Sequence, residues 1–277
     1  MSAVSILGCG WLGLPLAQSL LSKGYEVKGS TTSENKLEIL ENFGVLPFQI
    51  QLEAHQIIGT IKDFLKVSDV LVIAIPPGLR KEVSSSNEMT FVNKIKTLIP
   101  FIEKSGIEKV LFVSSTSVYG DSFPIVEITE ETKPNPDTES GKQLVIAESL
   151  LQSNAHFKTT VIRFGGLLDD DRHPVKFLAG RTNVENPDAP VNMIEREDCI
   201  GIIEKALDFA RDDNWEWNQT FNAVAPQHPT RKVYYHKKAE IFNLPLPTFA
   251  KNSESKGKII SSKKVETILG YSFQKEI

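Results

Sequence analysis

Three glycines near the start of the chain have the spacing of a turn that binds the phosphates of a nucleotide. Gly8, Gly10 and Gly13 form a G-x-G-x-x-G pattern between a short apolar run and an apolar period typical of a helix. In such a strand–turn–helix unit, the first glycine allows the turn, the second lets the backbone approach a pyrophosphate, and the third lets helix and strand pack closely. The free N–H groups at the helix start attract the anion. The alternative is an ordinary glycine turn without a ligand. The residues expected to bind a dinucleotide here are Gly8, Gly10, Trp11, Leu12 and Gly13.

Hydroxyl side chains occupy the position that selects between the two nicotinamide dinucleotides. In NAD-preferring proteins an Asp or Glu about 20 residues past the glycines binds the ribose hydroxyls, whereas NADP-preferring proteins place hydroxyls or a cation there. Here Thr31, Thr32 and Ser33 stand at that position, with Lys36 nearby and no carboxylate among them to repel a 2′-phosphate. We therefore expect NADP(H) rather than NAD(H). The alternative is that these residues only cap the next helix.

Composition and charge exclude several classes of function. The 277 residues, 40% of them hydrophobic, are enough for a sizeable core in one large domain or one and a half. The net charge of -4 is spread along the chain, so we expect neither a nucleic-acid arm nor a membrane-binding arm. No apolar run approaches the roughly 18 to 20 residues that cross a bilayer. Cys9 and Cys199 form no spaced pair and the five histidines show no ligand spacing, which predicts a cytoplasmic protein without a metal site.

Alternating strands and helices position these residues. The predicted strands are 4–7, 25–30, 45–52, 69–75, 109–114 and 159–164, and the predicted helices are one that ends at Gly24 and those over 34–43, 56–65, 87–104 and 141–154. This order predicts an α/β fold with a doubly wound parallel sheet, the Rossmann fold. Ligands of such sheets bind outside the carboxyl ends of the strands. We therefore also expect Ile75, Pro76 and Ser114, which end the fourth and fifth strands, to contact the dinucleotide.

The alternation weakens beyond Gly165. We expect a Rossmann domain over 1–165 and a smaller substrate-binding region over 166–277, with about 191–224 returning to the first domain. Helices over 198–211, 230–242 and 263–269 and strands over 218–223 and 258–261 are predicted, with a further short apolar segment over 191–194. Because no low-complexity linker separates the two parts, the second is expected to lie over the carboxyl ends of the sheet.

The segment after the fifth strand reads FVSSTSVYGD from Phe112 to Asp121 and resembles the extended short-chain dehydrogenases. In the UDP-galactose epimerases and dTDP-glucose dehydratases of that superfamily, a Ser-Ser-x-x-Val-Tyr-Gly segment follows the same strand. Its second Ser, or a Thr, hydrogen-bonds the reacting sugar oxygen, and the resemblance gives this role to Ser115. The alternative is a strand-end hydroxyl that caps a turn. The resemblance covers most of the chain, since 161–165 and 192–198 also match family segments.

Two departures from the family pattern affect the chemistry. The glycine motif is G-x-G-x-x-G instead of G-x-x-G-x-x-G, and the Tyr-x-x-x-Lys pair that carries the proton is replaced by Ser140 and Leu144. A hydroxyl and an isobutyl group cannot act as a phenol tuned by an ammonium group. This combination resembles the atypical short-chain dehydrogenases, the NAD(P)-dependent epimerase/dehydratase-like proteins. With the helix tyrosine absent, Tyr119 is the nearest aromatic acid that the motif supplies, so the catalytic candidates are Ser115 and Tyr119. A second match, Tyr234-x-x-x-Lys238, lies in the other region, and we regard it as chance.

These observations predict an NAD(P)-dependent oxidoreductase or epimerase-like enzyme that acts on a small molecule, anionic or sugar-like, oriented by Ser115. The alternative is a non-catalytic NADP(H)-binding sensor. A third type, the UDP-glucose dehydrogenases, is suggested by Gly-Leu-Pro-Leu-Ala after the glycines and needs a nucleophilic cysteine, but Cys199 lies in a predicted helix. Three arginines, Arg163, Arg172 and Arg181, either bind an anionic substrate or have the usual surface and salt-bridge roles. The oligomeric state stays open.

Overall fold

The computed structural model describes residues 2–78, 89–169, 172–210, 212, 215–251 and 254–277. The strands are β1 (Ala3–Leu7), β2 (Glu26–Thr31), β3 (Leu46–Leu52), β4 (Ile57–Gly59), β5 (Val70–Ile73), β6 (Lys109–Ser115), β7 (Glu127–Ile128), β8 (Lys158–Phe164), β9 (Gly166–Leu168), β10 (Met193–Glu195), β11 (Thr220–Ala223) and β12 (Ile259–Ile260). The helices are α1 (Gly13–Ser22), α2 (Leu37–Asn42), α3 (Ile61–Leu65), α4 (Thr90–Glu103), α5 (Glu139–Gln152), α6 (Val175–Leu178), α7 (Arg196–Phe209), α8 (Arg231–Ile241) and α9 (Lys263–Ile268).

Within these ranges, one eight-stranded sheet has the order β11-β8-β6-β5-β1-β2-β3-β4. Every neighbouring pair is parallel except β3 and β4. Because successive side chains of a strand point to opposite faces, the apolar strands supply two cores. On one face Ile6 and Leu111 pack with α1 and α7, and on the other Leu7 and Phe112 pack with α4 and α5. This arrangement confirms the predicted doubly wound parallel sheet.

Residues 56–65 do not form the single helix that the sequence analysis predicts. The structure has the antiparallel edge strand β4 first and only then the short helix α3. Gly59 explains the difference, because its φ of +108° is not helical and a Cβ there would lie 2.0 Å from the Gln49 carbonyl oxygen of β3. The β-branched Ile57 and Ile58 favour a strand. The predicted helix 87–104 begins at Thr90 in the structure, and its first two predicted residues fall outside the described ranges.

The region after β8 combines short elements with returning parts of the main sheet. In the described residues, β9 pairs with β10 and β7 with β12, each as a two-stranded parallel sheet, and α6 packs on α8 around a third apolar cluster. β7, β9 and α6 are too short to leave a clear period in the sequence, and none of them is predicted. β11 pairs with β8 as an edge of the main sheet, and α7 covers it. The domain boundaries at 165 and 166 themselves stay a prediction.

The second region begins at the carboxyl end of β8. Gly165 directly follows β8, and a Cβ on it would lie 2.6 Å from the Asn192 carbonyl oxygen. This close approach places Asn192 of the second region at the carboxyl end of β8. No helix in the described part of the chain is long and apolar enough to span a bilayer.

Candidate dinucleotide site

The glycine turn joins β1 to α1 in a geometry that requires two of its glycines for the fold. Gly8 has a φ of +105°, and a Cβ on it would lie 2.9 Å from the Ala74 carbonyl oxygen. A Cβ on Gly13 would lie 2.2 Å from the Gly8 carbonyl oxygen, so α1 packs on the turn only without a side chain there. A Cβ on Gly10, in contrast, would meet nothing within 4 Å. The protein's own packing thus does not require a glycine at position 10, whereas a ligand that approaches the backbone would.

Two hydrogen bonds fix this turn to β2. The Gly8 N–H donates to the Ser30 hydroxyl at 2.9 Å, and the Cys9 N–H donates to the Ser30 carbonyl at 2.7 Å. The Cys9 thiol packs where a Cβ on Gly29 would lie, 2.6 Å from the sulfur. Burial raises the pKa of Cys9 to about 12, so the thiol stays protonated at neutral pH. Ser30 and Gly29 thus hold the glycine turn against β2, and the glycine motif does not mark either residue.

The start of α1 leaves its first N–H groups without a side-chain cap. Leu12 is the cap residue and makes no side-chain capping hydrogen bond, and the residue that follows it, Gly13, begins the helix. The Leu14 N–H donates to the Gly10 carbonyl at 3.1 Å. N–H groups at a helix start that lack such a partner bind water or a ligand, and they carry the positive end of the helix dipole. Trp11 precedes them with a half-buried indole. The five predicted residues of this segment therefore lie together at the carboxyl end of β1.

The three hydroxyl residues after β2 differ in exposure. Thr31 is buried, and its Oγ1 accepts a hydrogen bond from the Ser33 N–H at 3.2 Å. Thr32 is exposed and Ser33 half-buried. Ser33 precedes the short 3-10 turn Glu34–Lys36 without capping it through its side chain. The capping alternative is therefore not what the Ser33 side chain does in this structure.

The carboxyl end of β5 borders the glycine turn. Ile75 is half-buried, and its Cγ2 lies 2.9 Å from the position of a Cβ on Gly8. Pro76 follows and is exposed. Ile75 therefore lies beside the glycine turn, and Pro76 follows it in the chain.

Ser115 ends β6, two strands away from β1. Its side chain is half-buried, and the Oγ accepts a hydrogen bond from the Ser117 N–H at 3.1 Å, which caps the 3-10 turn Thr116–Val118. The capping role that the sequence analysis left as an alternative is thus present. A hydroxyl that accepts one hydrogen bond still carries a hydrogen that it can donate to a second group. Capping and substrate binding by Ser115 are therefore compatible.

Ser114 and Tyr119 belong to a buried polar network between β6, β8 and α5. The Ser114 hydroxyl donates to Glu148 at 2.5 Å, Glu148 and Arg163 form an ion pair at 2.6 Å, and Arg163 donates to the Tyr119 oxygen at 2.5 Å. The Tyr119 hydroxyl also lies 3.2 Å from the Asn222 side-chain oxygen. Burial raises the pKa of Tyr119, and the charge of Arg163 opposes this. These contacts give Arg163 the salt-bridge role, and they engage the Tyr119 hydroxyl inside the protein.

On α5, the position that should carry the family's lysine is closed. Leu144 is 2% exposed and packs in the core beneath α5, while Ser140, one turn earlier, is half-buried. A Cβ on Gly141 would lie 2.2 Å from the Ser117 carbonyl oxygen, so the start of α5 is pressed against the turn after Ser115. The structure thus places an apolar contact where a lysine would need a polar surrounding.

Two other candidates lie inside the protein. Tyr234 is 2% exposed, and its hydroxyl lies 3.2 Å from Nε2 of His173 in the core of the second region. Cys199 of α7 is fully buried, and burial and then the nearby Asp198 raise the pKa of its thiol. Neither side chain is exposed to a substrate. Among the described residues, no group of three or more His, Cys, Asp or Glu side chains could hold a metal ion.

A parallel doubly wound sheet with an open glycine turn at its carboxyl edge and a Ser-Ser-x-x-Val-Tyr-Gly segment two strands away defines a class of protein. That class is the NAD(P)-binding Rossmann proteins. A family model described as NAD(P)H-binding matches residues 8–208 of this chain. The chain belongs to this NAD(P)H-binding family.

Comparisons with individual proteins agree with the class. Protein YeeZ of Escherichia coli K12 is 33% identical over 276 residues, which is 99% of this chain and 96% of that protein. UDP-glucuronic acid 4-epimerase from Bacillus cereus, in complex with UDP-glucuronic acid and NAD, superposes with a TM-score of 0.77 at 17% identity, covering 99% of this chain and 95% of that one. A short-chain dehydrogenase/reductase superfamily protein from Agrobacterium tumefaciens with bound NAD gives a TM-score of 0.74 at 16% identity, with coverage of 99% and 93%. At these identities the structural likeness shows the fold.

Proposed function

We propose that this protein binds NADP(H) at the glycine turn and acts as an oxidoreductase or epimerase-like enzyme of the atypical short-chain dehydrogenase type. The observation that carries the proposal is Gly10, where a Cβ would meet nothing within 4 Å, in a turn whose other two glycines are required by packing. The space above Gly10 fits the approach of a pyrophosphate to the backbone. A cytoplasmic location stays our prediction, in keeping with the two free cysteines Cys9 and Cys199.

The residues present fit the cofactor. Backbone N–H groups of the turn and of the α1 start would hold the diphosphate, the hydroxyls after β2 the ribose end, and the strand ends the rest of the molecule. The full set comprises Gly8, Gly10, Trp11, Leu12, Gly13, Thr31, Thr32, Ser33, Ile75, Pro76 and Ser114. When bound, the nicotinamide supplies or accepts a hydride. Ser115 would donate its hydroxyl hydrogen to the carbonyl or hydroxyl oxygen of the substrate and hold it in place.

The preference for NADP(H) rests on Thr32 and Ser33, which place two hydroxyls directly after β2. We expect NADPH to bind more tightly than NADH in a fluorescence titration. Thr32→Asp should weaken the binding of NADPH about tenfold, or ~1.4 kcal/mol, because its carboxylate repels the 2′-phosphate. NADH should change little.

The matched control is Thr267→Asp, an equally exposed threonine on α9 that adds the same charge away from the crevice. It should leave both affinities unchanged. Equal or tighter binding of NADH by the wild type would show that Thr32 and Ser33 do not bind a 2′-phosphate.

For the substrate we propose a small anionic or sugar-like molecule. The support is the ligand of a fold neighbour, the Bacillus cereus epimerase, which is seen with UDP-glucuronic acid. Arg181 is exposed on the second region and is available to such a group. Arg163 is not, because its guanidinium is paired with Glu148.

A specific observation favours the second candidate function, a non-catalytic NADP(H)-binding sensor. Leu144 is buried in the core, and the Tyr119 hydroxyl is engaged by Arg163, so neither provides a free proton carrier beside Ser115. A positioned acid or base contributes about 10²- to 10⁴-fold to a rate. We therefore expect no appreciable epimerase or dehydratase turnover by the wild type on common UDP- or dTDP-sugars with either cofactor. Robust turnover of such a sugar would show that our account of α5 is wrong, whereas turnover of another carbonyl compound would favour the enzyme over the sensor.

A further inference from the structure

Two arginines from the second region lie over the side chain of the glycine turn. The Arg172 Cζ is 5.1 Å and the Arg196 Cζ 4.9 Å from the centre of the Trp11 indole ring. Both distances are within the range of cation–π attraction. Trp11 directly follows Gly10, so two guanidinium groups stand beside the segment that is open to a ligand.

Separate elements bring these arginines together. Arg172 pairs with Asp169, the residue after β9: their backbones exchange two hydrogen bonds of 3.3 and 3.0 Å. Arg196 is the first residue of α7, and its guanidinium forms an ion pair with the Asp169 carboxylate. Two separate segments of the second region, the one after β9 and the start of α7, therefore contact the glycine turn through Trp11.

The two guanidinium groups differ in whether a carboxylate in the described residues pairs with them. Asp169 partly neutralises Arg196, whose side chain is 29% exposed. Arg172 is exposed at the surface and lies on the indole face. Asp170 and Asp171 stand between Asp169 and Arg172 in the sequence and fall outside the described residues. A guanidinium group pairs with phosphate oxygens through two parallel N–H donors, a geometry that the flat indole face helps to hold in place.

We propose that Arg172 and Arg196 form the second half of the diphosphate site, with Trp11 as a positioning residue that holds them over the glycine turn. The inference rests on the proposed function, since it assigns further ligands to the same dinucleotide. The glycine turn and the start of α1 contribute neutral N–H donors, and the guanidinium groups of Arg172 and Arg196 contribute positive charge. Binding of the dinucleotide then ties the second region to the sheet.

The test is a titration of NADPH into the wild type and three variants, Arg172→Gln, Arg196→Gln and Arg231→Gln, at low and high salt. Arg231 is the matched control, because it lies in the second region and donates to the Glu185 carbonyl at 3.1 Å. We expect Arg172→Gln and Arg196→Gln each to weaken NADPH about tenfold or more at low salt, as the loss of a charge-assisted hydrogen bond does. The difference from the wild type should shrink at high salt, because exposed charges are screened. Arg231→Gln should bind like the wild type.

Adenosine 2′-monophosphate, which lacks the diphosphate, should bind all four proteins alike. Arg172→Lys should bind NADPH more tightly than Arg172→Gln, since a lysine keeps the positive charge but lacks the two parallel N–H donors of a guanidinium group. Thermal unfolding of each variant shows whether it is folded. If Arg196→Gln is unstable, Arg172→Gln still tests the proposal, because Arg172 is exposed and its replacement should leave the fold intact.

The outcomes separate the two proposals. If the wild type binds NADPH and both arginine variants bind it as tightly as Arg231→Gln does, the diphosphate role of the arginines is overturned and the proposed function stands. If the arginine variants bind adenosine 2′-monophosphate more weakly, in parallel with their loss of NADPH affinity, the arginines act on the whole site and not on the diphosphate. That result also overturns the inference. If the wild type binds neither dinucleotide, the proposed function fails and the arginine site fails with it.

Discussion

Ser115 caps a turn through its hydroxyl, and we assign a chemical task to the same group. Its oxygen accepts from the Ser117 N–H, and its hydrogen is the group that we assign to the substrate. Ser115→Ala should lower any turnover about 10²-fold, the usual effect of one donor removed from a reacting oxygen. Dinucleotide affinity should stay almost unchanged, because the cofactor is held mainly at other residues. Steady-state kinetics and a binding titration on the same samples measure the two effects separately.

The matched variant for this prediction is Ser115→Thr, which keeps the hydroxyl and the cap. It should retain most of the turnover and the stability of the wild type. Equal loss of turnover and dinucleotide affinity in Ser115→Ala would assign the residue to structure alone.

At the same scale, the sequence marks the glycines and hydroxyls better than it marks their neighbours. Gly8 and Gly13 have the backbone and packing roles that the motif predicts, because these depend on residues a few positions apart. The network of Ser114, Glu148 and Arg163 joins three elements, and only their packing brings it together. For the same reason the sequence analysis does not find Arg196 beside Trp11. Pairs formed across the fold leave no local signal in a single sequence.

Among the elements, α5 decides whether this protein can use the proton transfer of the extended short-chain dehydrogenases that its sequence resembles. Leu144 is 2% exposed in the core, so Leu144→Lys would bury a charge without a partner. We expect a loss of about 2 to 5 kcal/mol in the free energy of unfolding at pH 7, from lost packing and desolvation. Burial lowers the pKa of such a lysine, so the folded state binds fewer protons than the unfolded state. The loss should therefore become smaller as the pH rises toward the pKa of an ordinary lysine.

Urea unfolding at pH 7 and at a more alkaline pH measures this change against the wild type. The control is Ser140→Tyr, at a half-buried position on the same helix face, which should cost far less stability. If Leu144→Lys is as stable as the wild type at pH 7, the position opens to water and the closed helix face is wrong.

The elements also show where local patterns fail. Strong apolar periods such as 69–75 and 159–164 predict β5 and β8, because buried parallel strands are continuous apolar runs. The segment 56–65 contains apolar residues at spacings that suit a helix, yet β4 forms there since it pairs with β3 through Gly59. That pairing is a tertiary contact, and helical spacing alone does not reveal it.

For the whole molecule, Asp198 links the C-terminal segment to α7, which packs on the main sheet. The carboxylate is fully buried and accepts from the Tyr271 hydroxyl at 2.7 Å, the Gln274 N–H at 2.7 Å and the Lys275 N–H at 3.2 Å. Asp198→Ala leaves these donors without an acceptor, and we expect a loss of about 3 kcal/mol in the free energy of unfolding. Asp208→Ala, on the exposed side of the same helix, is the control and should change it by less than about 0.5 kcal/mol. Similar urea midpoints for the two variants would show that the C-terminal segment contributes little.

The central claim is that a nicotinamide dinucleotide lies on the backbone of Gly10, and Gly10→Val tests it most directly. A side chain at this position meets nothing within 4 Å in the protein, so the variant should keep the thermal stability of the wild type. The valine would occupy the space that the pyrophosphate needs. In a fluorescence titration we expect the wild type to bind NADPH at one site per chain, and Gly10→Val to show no saturation at concentrations about 100-fold higher. Undiminished NADPH binding by a folded Gly10→Val variant, or no binding of either dinucleotide by the wild type, would contradict the account.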